Sequence, residues 1–171
     1  QCGCMIKALA LDADLVAVYF AARRYAYVQW LSVIDLKTGF RRDLEMWGGN
    51  PVYGFADLRF AGGQLWLATA AGDPDGSRSD VDLTRIDLSD PVRLTAAKFW
   101  HESSTNRGWS PVLLLNVPGH DQLIFGQGNG KVRVFAMKKN RLASLTLLQS
   151  PAPIEDMDIS PDGDRLFLAS G

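Results

Sequence analysis

The sequence predicts an all-β chain built from repeated four-stranded antiparallel sheets. Three observations predict it. The apolar runs are short, rich in β-branched and aromatic residues, and carry no sustained 3.6-residue periodicity. Sixteen Gly and eight Pro are spread along the chain, usually beside those runs, where turns need positive φ or a preset bend. One strand–turn–strand pattern also returns four times. The 171 residues, 47% hydrophobic and 22% charged, are enough to bury a core without disulfide or metal staples. With 18 Lys+Arg against 19 Asp+Glu, the chain lacks the charge footprint of a nucleic-acid or anionic-membrane binder. Its longest apolar run, around Leu15 to Ala22, falls far short of the ~20 residues of a membrane-spanning helix. These features predict a soluble chain.

The first two strands of each unit lie in Ile6–Val18, Ala56–Leu67, Val112–Phe125 and Met157–Leu168. Their turns, Asp12-Ala13-Asp14, Ala61-Gly62-Gly63, Pro118-Gly119-His120-Asp121 and Pro161-Asp162-Gly163-Asp164, have hairpin chemistry. Leu15, Leu65, Leu123 and Leu166 follow those turns at intervals of about 43 to 58 residues, close to the ~40–50 of a propeller blade. Third strands are read in Val28–Leu36, Val81–Leu88 and Val132–Met137, and fourth strands in Arg42–Met46, Val92–Phe99 and Leu142–Leu148. A four-stranded sheet repeated in this way predicts β-propeller blades. Blades are expected at 5–47, 54–100 and 110–149, with a half blade at 154–171.

The residues from Ile159 to Gly171, read as ISPDGDRLFLASG, resemble the inner hairpin of WD40 repeats. Gly130-Lys131-Val132-Arg133-Val134-Phe135 resembles the third strand of that family, and Val33-Ile34-Asp35-Leu36-Lys37-Thr38-Gly39 its exit turn. The chain departs from the family in two places: no Gly-His pair opens an innermost strand, and no Trp-Asp dipeptide closes a third one. The resemblance is therefore to WD40-like propellers, and it implies a protein-interaction scaffold. Quinoprotein-like and lactonase-like propellers share the same hairpin, so the alternative is part of a propeller enzyme whose active site needs further blades.

About three and a half blades do not close a ring, so the stack is expected to expose a blade face and an unpaired strand edge. Three arrangements answer this: a longer propeller, a second chain that completes the ring, or an open array. A partner protein, possibly one supplying the missing strands, fits better than a twin, because a twin also lacks the outer strands of its half blade. The opening residues show no charged region followed by an apolar one and a small-residue cleavage site, which gives a cytoplasmic expectation. Cys2 and Cys4 are one residue apart, and His101 and His120 are far from them in sequence, so no metal or cofactor is expected.

In this layout the inter-blade links share a rim with the loops joining second and third strands. On that rim Trp47, Tyr53, Trp100, Trp109, Arg23, Arg24, Tyr25 and Arg107 are the candidate partner contacts, since aromatic residues and Arg anchor interfaces. A Trp at a strand entrance can equally fill the wedge between blades. The loop around Gly76 offers a calcium candidate in the alternation Asp73, Asp75, Ser77 and Ser79. Setting Gly76 as the sixth loop position puts Ala71 at the first and Asp82 at the twelfth, so the loop reads better as a polar turn. His101, beside Glu102, Ser103 and Ser104, and His120, beside Asp121, read as exposed loop residues. Asn106, Glu155 and Asp156, with Asn50 and Asp57, are the loose lactonase-like candidates at innermost strand starts. No catalytic residue is assigned.

Overall fold

Fourteen strands make up the described part of the computed structural model, which covers residues 4–22, 28–47, 54–72, 79–104, 111–138 and 141–170. The first sheet runs β1 (Cys4–Asp12), β2 (Leu15–Ala22), β3 (Val28–Asp35) and β4 (Arg41–Trp47). The second runs β5 (Phe55–Ala61), β6 (Gln64–Gly72), β7 (Ser79–Asp87) and β8 (Thr95–Ser104). The third runs β9 (Val112–Asn116), β10 (Gln122–Gln127), β11 (Lys131–Lys138) and β12 (Arg141–Gln149). A last pair, β13 (Ile154–Ile159) and β14 (Leu166–Ser170), makes a two-stranded sheet. Every neighbour is antiparallel and sequential. The chain is all-β, and its sheets are propeller blades that do not close into a ring.

Local chemistry explains the turns. Gly62 and Gly63 hold φ of 57° and 68° between β5 and β6, the double left-handed conformation a two-residue hairpin demands. Asp35 and Asp87 end the third strands of blades 1 and 2. The Asp35 carboxylate accepts the N–H groups of Lys37 and Thr38, and Asp87 accepts that of Ser89. Those backbone donors hold both carboxyls below their ordinary pKa. Blades 1 and 2 thus end their third strands with an aspartate that organises the turn, whereas blade 3 has Ala136 after Phe135.

Alternation along each strand sends one set of side chains to each neighbouring blade. Ala17, Tyr19, Leu31 and Val33 of blade 1 pack on Leu58, Leu65, Leu67 and Ile86 of blade 2. From the other face of blade 2, Trp66, Ala68 and Leu83 meet Leu114, Leu123 and Phe125 of blade 3. Ile154 and Met157 of the half blade cover Ile124 and Val132. The innermost strands β1, β5, β9 and β13 touch in succession, as they do around a propeller axis. Polar bonds cross the same junctions: Arg42 donates to the carbonyls of Leu88 (3.1 Å) and Asp90 (2.6 Å), and Arg59 to that of Leu114 (2.8 Å).

The strands run further than the sequence predicts at several ends, β8 among them. The link expected from Trp100 to Trp109 is strand as far as Ser104, so His101 lies in β8 and not in a loop. At its other end β8 begins at Thr95 rather than Val92, with Val92 exposed.

Candidate functional site at the rim

The strand ends that flank segments 23–27, 48–53, 73–78 and 105–110 gather at one rim, as the meander requires. Where blades 1 and 2 diverge there, they enclose a cavity of about 180 Å³. Blade 1 contributes Lys7, Tyr19 and Gln29, and blade 2 contributes Asp80, Asp82 and His101. The Tyr19 hydroxyl donates to Gln29 Oε1 at the cavity base, and burial pushes the phenol above its usual pKa. Lys7 Nζ donates to the Gly54 carbonyl at 3.3 Å, and desolvation lowers its pKa.

The blade 2 wall is a chain of polar contacts. Lys98 Nζ lies 2.8 Å from Asp82 Oδ2, and His101 Nδ1 lies 2.7 Å from Asp82 Oδ1. On the other side of the imidazole, Nε2 is 2.9 Å from Ser103 Oγ, which donates to Asp80 Oδ1 at 2.6 Å. Register builds this chain: Asp82 is directly opposite His101 and Asp80 opposite Ser103. A bulge matters as well. The ladder pairs Leu83 with Trp100 but Thr84 with Lys98, leaving Phe99 as the extra residue. One inserted residue reverses the alternation, so Lys98 and His101, three apart, share the face toward blade 1.

The opposite face of β8 carries Trp100 and Glu102 toward blade 3. The Trp100 ring meets Phe125 edge-on, with centroids 5.4 Å apart, and Arg133 Cζ sits 4.7 Å from the Trp100 centroid. Glu102 pairs with Lys131 and, at 3.0 Å, with Arg133. Burial raises the Glu102 carboxyl, but the hydrogen bonds and charges of Lys131 and Arg133 outweigh it and leave the pKa lowered.

Of the predicted partner contacts, Trp100 is therefore half-buried in the wedge between blades 2 and 3. Trp47 ends β4 at the rim, with its side chain outside the described residues. Arg23, Arg24, Tyr25, Tyr53, Arg107 and Trp109 also lie outside the described residues. So do Asp73, Asp75 and Ser77 of the calcium candidate, and of Ser79 only the backbone at the start of β7 is described. Asn50 and Asn106 are outside them too. Glu155 and Asp156 are exposed on β13, whereas Asp57 is occupied with the Leu58 and Leu114 N–H groups. His120 is exposed in the β9–β10 turn, away from the rim. Among the described residues no three His, Cys, Asp or Glu side chains gather as metal ligands, and no helix is long and apolar enough to cross a membrane.

Sequence reading missed His101, Ser103, Asp80 and Asp82 as a group. The available signal was Asp80 and Asp82 alternating on a strand whose hairpin partner carries His101 and Ser103 at the same spacing.

No family model and no curated protein matches the sequence. Solved structures do. The fold is similar to the WD40 domain of Toxoplasma gondii coronin, with a TM-score of 0.55 and 13% identity over 88% of this chain and 36% of that one. It is also similar to Chaetomium thermophilum Sqt1, with 0.58 and 17% over 96% of this chain and 41% of that one. Dihydro-heme d1 dehydrogenase NirN matches at 0.56 and 18%, over 91% of this chain and 30% of its own. The chain spans less than half the length of each of these proteins. What it shares with them is the propeller fold.

Proposed function

We propose that the chain is a stretch of propeller whose rim docks a protein partner, with the stacked sheets as a rigid scaffold. The observation that carries this reading is the rim cavity between blades 1 and 2. Its walls combine apolar and charged groups, and the segments joining the strand ends around it hold Arg23, Arg24, Tyr25, Tyr53 and Arg107. Loops fixed on a rigid frame and furnished with aromatic and Arg anchors are how such scaffolds bind. Further blades or a second chain cover the apolar outer face of blade 1 in the same reading. The test is cross-linking of the purified chain to its partner, followed by mass mapping. Combined Arg23→Ala, Arg24→Ala, Tyr25→Ala and Arg107→Ala substitution should abolish rim cross-links in a folded protein. Unchanged cross-links overturn the reading.

One feature favours a second reading, a propeller enzyme of quinoprotein-like or lactonase-like type. Asp82 and His101 line the cavity 2.7 Å apart, within the reach of an acid–base pair. Bound metal in the purified protein, with activity lost on chelation and in His101→Ala, supports the enzyme over the scaffold.

A further inference from the structure

We infer a second binding site at the opposite rim, where the innermost strands end near the propeller axis, for a small zwitterionic amino acid. The C-terminal ends of the four innermost strands border an open cavity of about 300 Å³, lined by Leu11, Phe60 and Leu115 and carrying the exposed Arg59, Asn116 and Asp158. That volume is at the lower end for small-molecule pockets and selects a compact ligand.

Arg59 and Asp158 are each held by one hydrogen bond yet have bonding capacity to spare. Arg59 is held through Nε, which donates to the Leu114 carbonyl at 2.8 Å and lies 3.9 Å from Asp57 Oδ2. Its Nη1 and Nη2 atoms have no partner among the described residues. Asp158 Oδ1 accepts the Ile159 N–H at 2.8 Å, which leaves Oδ2 unused, and the exposed Asn116 amide is likewise uncommitted. Arg59 and Asp158 line one cavity without forming an ion pair with each other. A guanidinium fork takes a carboxylate through two parallel N–H donors. A carboxylate accepts from an ammonium, and a primary amide does both. A single molecule bearing a carboxylate and a nearby ammonium satisfies all three groups. A ligand with only a carboxylate leaves Asp158 without a counter-charge, and one with only an ammonium leaves the two terminal nitrogens of Arg59 unused, because Asp57 faces the guanidinium from its Nε side. No residue of this site belongs to the rim cavity.

Titration of the purified chain with glycine, acetate and methylammonium, followed by amide chemical shifts, tests the assignment. Glycine should saturate and bind about tenfold or more tightly than either single-charge probe, given about 1.4 kcal/mol per tenfold for one added charged contact. Asp158→Asn should reduce glycine to the acetate level, and Arg59→Lys should weaken both, because it keeps the charge and loses the fork. Should Arg59→Lys fail to fold, Asp158→Asn and Asn116→Ala decide, both being exposed positions. Glycine that does not saturate, glycine no tighter than acetate, or an Asp158→Asn chain with native affinity overturns the inference.

Discussion

Asp57 shows how a single side chain couples neighbouring blades. It sits on β5 and accepts N–H groups from Leu58 at 2.8 Å and, across the junction, from Leu114 at 2.7 Å. Burial raises its pKa above the ordinary carboxylate value, against those donors and the Arg59 charge. A raised folded pKa means that the group's stabilisation is fully present below its unfolded pKa and is lost as pH rises through the folded one. Asp57→Asn removes the titration and leaves one donor unpaired, a loss of about 1–3 kcal/mol. Urea unfolding should therefore show the native chain more stable than the variant, with the gap widening as the pH falls through the raised folded pKa toward the ordinary carboxylate range. The role of Trp100 was legible only in part. Its sequence context allowed either an anchor or a wedge filler, and the contacts with Phe125 and Arg133 depend on a bulge that no residue type announces.

Among the elements, the strands were legible where alternation was clean and illegible where both faces of a strand are polar. His101, Glu102 and Ser103 look like loop because neither parity is apolar. In β8 one parity joins Asp80 and Asp82, and the other joins Lys131 and Arg133. Outer strands, less covered than inner ones, can satisfy polar residues on both sides. The join between β5 and β6 places a different demand. A Cβ at Gly54 would stand 2.0 Å from the Ala70 carbonyl oxygen, and that contact is backbone, with no side chain free to give way. Gly54→Ala should push the start of β5 away from β6, weaken the Lys7 bond to residue 54 and cost about 3 kcal/mol. A lowered thermal midpoint, with the rim amides shifted most, is the expected result.

Over the whole molecule, the repeat and its count of blades were legible, because hairpin turns and leucines recur in phase. The cavities were not, since each is lined by strands distant in sequence. Blade 1 presents its second face outward. Ile6, Leu9 and Leu11 are exposed, and Phe20 stacks on Trp30 with centroids 5.8 Å apart. The other face of the same sheet is buried against blade 2. Such a patch favours association. Leu9→Lys with Leu11→Lys should leave the circular dichroism unchanged and lower the sedimentation-measured self-association of the purified chain. Retained association overturns that expectation. Among the described residues, blade 2 is the one four-stranded sheet with a four-stranded sheet against each face. The core clusters of the described residues each join immediate neighbours in the stack, so cooperativity along it is local. Blade 2 then acts as a keystone: loosening it separates the rim cavity from the blade 3 wedge, whereas fraying at either end leaves the opposite junction intact.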